Sequence, residues 1–157
     1  MKGSRIASGI AAGLVATIVL SPLMIVKAMI GLMPELNVIA MLTDIAGASS
    51  PIVGWVGHFL IGTVGWGALF ALVNPLLPGG TYWLKGIVFG LGAWLLMMLL
   101  VMPLAEAGLF GMKLGIGAPV MMIVMHVIYG AVLGSVYGLE RPHRAGRLRG
   151  SQMTDLT

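Results

Sequence analysis

Four long apolar runs, separated by short stretches that hold most of the prolines and charges, constrain this chain more than any other feature. Of its 157 residues, 59% are hydrophobic and only 9% are charged, whereas soluble domains carry about 25% charged residues. A chain with so little charge cannot cover a surface exposed to water, and about 20 consecutive apolar residues suffice for a helix to cross a bilayer. We therefore predict an all-α integral membrane protein, a four-helix transmembrane bundle with spans at about residues 6–32, 51–73, 84–104 and 119–139.

The segments around these spans complete a single membrane domain over residues 1–140. The outer loop 33–50 is more polar than the spans, and its apolar residues recur at helical spacing, which predicts a short interfacial helix that caps the bundle. The tail 141–157 is basic and then polar, a composition typical of disorder. The chain is therefore expected to fold as one domain with a flexible basic tail.

Basic residues concentrate on one side of the predicted bundle. Four spans place both termini on the same side, and seven of the nine Lys and Arg residues fall there. The positive-inside rule then predicts that the N-terminus and the C-terminus are cytoplasmic. Because this asymmetry explains the net charge of +4, we expect no nucleic-acid partner.

Two of the spans share one motif: proline, six residues, histidine, three residues, glycine. Its two copies are Pro51, His58, Gly62 and Pro119, His126, Gly130. The motif predicts two parallel helical-hairpin repeats, related by a pseudo-twofold axis along the membrane normal. At a rise of 1.5 Å per residue, both histidines would lie about 10 Å below the outer ends of their helices, in the outer third of the membrane.

Small residues recur every four positions on three of the spans. This spacing places them on one helix face, and such faces permit close helix contact in lipid. Besides the lipid bilayer, a homodimer or a larger membrane complex is therefore an expected partner. The predicted packing residues are Gly9, Gly13, Thr17, Gly86, Gly90, Gly130, Gly134 and Gly138.

The paired histidines are compatible with several roles, and the sequence leaves them open. In the simplest, each imidazole only forms a hydrogen bond between helices. In the second, the protein is an electron carrier whose b-type haem is held by His58 and His126. Gly62 and Gly130, one turn further along each helix, would leave room for the porphyrin edge, and two outer lysines would meet the propionates.

Two further hypotheses concern ions. Thioether and imidazole donors suit Cu(I), with His58, His126, Met98, Met102 and Met125 as the candidate ligands. Transport of protons or Cu(I) through the bundle is the last hypothesis, because histidine titrates near neutral pH. No Asp or Glu lies within a predicted span, although acidic groups are the commoner proton relays in membranes.

Enzymatic chemistry finds little support in the sequence. The chain has no cysteine, which excludes disulfides, iron–sulfur ligation, thiolate zinc sites and cysteine nucleophiles. Ser135 lies on the opposite helix face from His126 and about 13 Å deeper, too far for a Ser–His pair. We therefore predict a non-enzymatic accessory protein, assembly partner or small binding module with a paired-His site.

Short motifs along nearly the whole chain resemble one family. They include Gly-Leu-Met-Pro at residues 31–34, Gly-Trp-Val-Gly-His-Phe at 54–59, Tyr-Trp-Leu-Lys-Gly at 82–86, Met-Pro-Leu-Ala at 102–105, and His126 with Tyr-Gly-Ala-Val at 129–132. The chain resembles a bacterial family of small four-helix integral membrane proteins of unknown function. The resemblance implies a bacterial inner-membrane location and assigns no activity or ligand.

Overall fold

The computed structural model describes residues 2–140, which form helices and turns; none of these residues forms a β-strand. Four helices are long and apolar enough to cross a membrane, and a short helix α2 (Val38–Ile45) lies between the first two. The four long helices are α1 (Lys2–Met29), α3 (Pro51–Leu76), α4 (Tyr82–Leu104) and α5 (Gly117–Glu140). The all-α class and the four helices able to span a membrane are thus confirmed, and the prediction for the tail 141–157 lies outside the described residues.

Two of the long helices change their hydrogen-bond register along their length. In α3, the α-helical segment Pro51–Phe59 is followed by the π-helical segment Leu60–Trp66. In α4, the π-helical segment Met97–Val101 precedes a last turn that contains Pro103. π-Helical segments are rare and often lie at functional sites, and the one in α3 begins two residues after His58.

Helices α4 and α5 approach each other closely along two faces of glycine. A Cβ atom added at Gly86 would lie 2.9 Å from Cα of Gly134, and one added at Gly130 would lie 3.2 Å from Cα of Gly90. Ordinary Cβ contacts are longer than this, so these glycines determine the distance between the two helices. The glycine faces of α4 and α5 therefore pack against each other within one chain.

Helix α1 packs against both α3 and α5. Its contact with α3 also depends on small residues, since a Cβ atom at Gly9 would lie 2.7 Å from Cβ of Ala71, and one at Gly13 would lie 2.7 Å from the carbonyl oxygen of Thr63. Thr17 follows on the same face and is fully buried. Because the small-residue faces are buried in this way, a homodimer would have to use other surfaces.

Aromatic rings fill the space where α3 faces α4 and α5. Phe89 meets Trp66 and Phe70 with ring centroids 5.9 and 5.3 Å apart, and Phe70 lies 5.3 Å from Tyr137. All three pairs have the edge-to-face geometry that aromatic quadrupoles favour. We call these four residues the aromatic cluster; it occupies the half of the bundle nearest the start of α1 and the end of α5.

The side chain of Lys27 anchors the turn that leads from α1 to α2. Its Nζ donates hydrogen bonds to the carbonyl oxygens of Leu32, Met33 and Leu36, at 3.1, 2.9 and 2.7 Å. An ammonium group has three donors, so this one is fully used. The turn therefore returns over the end of the bundle and places α2 against α3.

Candidate functional site

His58 and His126 line one cavity of about 170 Å³ inside the bundle. His58 lies on α3 and His126 on α5, and residues of α1, α2 and α4 complete the wall. Within the described part of the chain, no acidic side chain lines this space. We call it the histidine cavity; its other lining residues are Thr17, Leu20, Met24, Val38, Leu42, Ile61, Gly62, Trp66, Leu96, Met97, Val101, Met122, Met125 and Tyr129.

The tautomer of His126 follows from its backbone partner. Its Nδ1 lies 2.8 Å from the carbonyl oxygen of Met122, one turn earlier in α5. A carbonyl can only accept, so Nδ1 carries the proton and Nε2 keeps its lone pair. Among the described residues, none forms a hydrogen bond with Nε2. His126 is therefore oriented as a neutral imidazole with a free lone pair, the form that binds metals or accepts a proton.

His58 has the opposite tautomer. The Ser21 hydroxyl donates its only hydrogen to the Thr17 carbonyl oxygen at 2.8 Å. The Ser21 oxygen is then left to accept from Nε2 of His58, 3.4 Å away. This bond is long and weak, and it leaves the lone pair on Nδ1. Edge-to-face contacts with Trp55 and Phe59, with centroids 5.7 Å away in each case, further fix the ring.

A buried hydroxyl pair forms one wall of the histidine cavity. Tyr129 donates a hydrogen bond to the carbonyl oxygen of Gly62 at 2.5 Å, and the Thr17 hydroxyl donates to the carbonyl oxygen of Gly13 at 2.8 Å. Gly62 lies in the π-helical segment of α3, where the backbone pairing differs from that of an α-helix. This link between α3 and α5 was missed at the sequence level, although Tyr129 follows His126 by three residues and so shares its helix face.

Replacing Tyr129 with phenylalanine is expected to lower the free energy of unfolding by about 1–3 kcal/mol, because the buried Gly62 carbonyl loses its partner. The matched control is Tyr137→Phe: Tyr137 is equally buried, but among the described residues its hydroxyl has no hydrogen-bond partner. Thermal unfolding in detergent compares the two variants. Equal melting temperatures would contradict this role of the Tyr129 hydroxyl.

Only one of the three methionines proposed as ligands reaches the histidine cavity. Met125 lines it, whereas Met98 and Met102 are fully buried and do not line it, although they belong to the same buried cluster as the cavity residues Met97 and Met122. The other cavity methionines are Met24, Met97 and Met122. Successive helix residues point about 100° apart, so the rotation of α4 about its axis decides whether residue 97 or residue 98 faces the cavity. The depth of a residue in the membrane does not determine this rotation.

The residues around the two histidines do not fit a haem. Gly62 faces Thr17, whose Cβ would lie 3.3 Å from an added Cβ, and Gly130 is covered by Gly86. Neither glycine therefore leaves space for a porphyrin edge. The cavity volume of about 170 Å³ is also below the range of roughly 300–1,000 Å³ that is usual for organic ligands, and Lys27 is already saturated by three carbonyls.

A larger cavity of about 660 Å³ adjoins the histidine cavity. It lies at the end of the bundle where α2 covers the start of α3, and we call it the outer cavity. Lys27, Asn37 and Asp44 contribute polar groups to its wall. The two cavities share four lining residues, Met24, Val38, Met122 and Met125. Three thioethers therefore stand where the spaces meet.

Comparison with known proteins adds one match. A family model that describes a family of unknown function, DUF6789, matches residues 3–147. No curated protein and no solved structure gives a significant match to the chain.

Proposed function

Since the chain belongs to the DUF6789 family, a family of unknown function, we propose its function from the geometry of the histidine cavity. The proposal is a multi-pass membrane protein that binds a single Cu(I) ion in this cavity. The observation that carries this proposal is the donor set. Two imidazoles on different helices, each with one nitrogen lone pair left free, share one small cavity with four methionines. The protein would act as a non-enzymatic binding module or assembly partner.

The chemistry of these donors selects a soft ion. Imidazole and thioether ligands suit Cu(I), whereas Mg²⁺ and Ca²⁺ require oxygen ligands. The described lining has no carboxylate, and a monovalent ion brings the smallest charge into an apolar site, where every buried charge has to be compensated.

The route to the cavity supports binding and release at one face of the membrane. Met24, Met122 and Met125 stand between the outer cavity and the histidine cavity, where they would pass the ion from one space to the other. On the opposite side, the aromatic cluster fills the bundle. Transport of protons or Cu(I), the alternative function, would require this cluster to open.

We place the protein in the bacterial inner membrane with both termini in the cytoplasm. Arg5 and Lys85 lie at the end of the bundle opposite the outer cavity, and basic residues favour the cytoplasmic side. The outer cavity then faces the periplasm. The shared sequence motif makes the hairpins α1–α3 and α4–α5 parallel repeats, with His58 and His126 as symmetry mates.

A competition experiment tests Cu(I) binding. The detergent-purified protein is titrated anaerobically against a chromogenic Cu(I) chelator, with His58→Ala, His126→Ala, Met122→Leu and Met98→Leu as variants. Each histidine variant is expected to bind at least about tenfold more weakly, since even groups behind the ligands change metal affinity about 10–100-fold. Met122→Leu conserves volume and is also expected to weaken binding, whereas Met98→Leu is not.

Other outcomes would reject the proposal. Unchanged affinity in both histidine variants would leave the imidazoles a packing role only. A Soret band in the visible spectrum that disappears in both variants would establish haem binding instead. Histidine-dependent flux of protons in proteoliposomes, without retained copper, would favour transport of protons.

A further inference from the structure

A second polar cavity, of about 340 Å³, opens at the end of the bundle opposite the histidines. It lies where the start of α1, the end of α3, the start of α4 and the end of α5 meet. Arg5 and Lys85 line it, and within the described part of the chain no carboxylate does. The cavity therefore presents two positive charges at the level where helices leave the membrane.

A buried amide in this cavity lacks a partner. Asn74 is only 7% exposed, and its Oδ1 has no hydrogen bond among the described residues. Its main-chain oxygen is engaged, since it accepts from Lys85 Nζ at 3.0 Å. A buried polar atom without a partner is costly and uncommon. The Oδ1 of Asn74 thus remains an acceptor that a ligand with a hydrogen-bond donor would satisfy.

The remaining groups of this cavity suit an anion. Lys85 uses one of its three ammonium hydrogens on Asn74, so two remain. The cavity also contains the start of α4, where Thr81 makes no side-chain cap. The dipole of this long helix favours negative charge at that position.

We infer that this cavity binds the headgroup of an anionic phospholipid that carries both a phosphate and hydroxyl groups, as phosphatidylglycerol does. The phosphate lies against Arg5, Lys85 and the start of α4, and a headgroup hydroxyl donates to Oδ1 of Asn74. Basic pockets between membrane helices are known to accept acidic headgroups. This inference does not depend on the function proposed for the histidine cavity.

Native mass spectrometry of the full chain, released from nanodiscs of phosphatidylglycerol and phosphatidylcholine in equal amounts, tests the inference. Phosphatidylglycerol is expected to remain bound in preference to phosphatidylcholine, which has a phosphate but no hydroxyl donor. Arg5→Gln and Lys85→Gln are each expected to reduce retention about fivefold, because each basic residue near the membrane surface contributes about that factor. Lys113→Gln, which removes a lysine outside this cavity, is the matched control.

Asn74→Asp provides a second variant of nearly the same shape. Its carboxylate would repel the phosphate, so we expect retention of phosphatidylglycerol to fall while the chain still elutes as a folded species. Equal retention of both lipids, or equal retention in Arg5→Gln, Lys85→Gln and Lys113→Gln, would overturn the inference. An equal rise in the melting temperature with inorganic phosphate and with phosphatidylglycerol would also overturn it, since the site would then recognise free phosphate.

Discussion

Replacing Gly86 with alanine is expected to destabilise the bundle by about 1–3 kcal/mol or more, the usual cost of adding a methylene to a closely packed core. The added Cβ would overlap the backbone of α5, at 2.8 Å from the nitrogen and 2.9 Å from Cα of Gly134. Backbone atoms cannot rotate away as a flexible side chain can. Helices α4 and α5 must therefore separate along their longest contact.

The matched control for this prediction is Gly92→Ala, six residues later in the same helix. An added Cβ at Gly92 meets nothing within 4 Å, and alanine is favoured over glycine in a helix by about 1 kcal/mol. The two variants are therefore expected to change stability in opposite directions. Thermal unfolding in detergent, followed by tryptophan fluorescence, measures both. Melting at the same temperature would refute close packing as the role of Gly86.

Replacing Gly54 with alanine is expected to release α2 from α3. A Cβ added at Gly54 would overlap the carbonyl group of Ile39 and the hydroxyl of Thr43, both in α2. Because α2 is short and forms part of the wall of the outer cavity, it can move away while the four long helices stay in place. The added methyl group should therefore act locally rather than unfold the bundle.

Hydrogen exchange of the α2 amides provides the measurement. An overpacking cost of about 1–3 kcal/mol corresponds to roughly 5–150-fold faster exchange if opening is local. Gly57→Ala, one turn later in α3, is the control, since its added Cβ would lie no closer than 3.9 Å to the Leu42 side chain. If both variants exchange like the natural chain, α2 is not held at Gly54.

If Cu(I) enters through the outer cavity, Gly54→Ala should also release the ion faster.

Several features of the fold could be predicted from local sequence. Each span is a run of apolar residues long enough to cross a bilayer. A chain with only 9% charged residues has too few of them to cover a surface exposed to water. The segment that became α2 was recognisable by its helical spacing of apolar residues. Pro51 and Pro119 mark the beginnings of two spans, because proline suits the first turn of a helix.

The candidate site was predictable only in part. The repeated motif suggested that His58 and His126 lie at one level, and both line one cavity in the structure. The methionine donors could not be predicted in this way, because Met97 and Met98 are neighbours in the sequence and in one buried cluster, but only Met97 lines the cavity. The glycines next to the histidines were expected to leave room for a ligand, and neighbouring helices cover them instead.

The sequence by itself determined that the long helices are apolar enough for a lipid bilayer, how many of them can span it and in what order they occur. The free energy of moving a helix from water into lipid depends on its composition and length, and both can be read from the sequence. Only the tertiary structure decided which faces meet. Helix rotation, the π-helical segment after His58 and the partners of each glycine depend on contacts between residues far apart in the chain, such as Tyr129 with Gly62. The histidine cavity arises from those contacts, and so its donor set is a property of the fold.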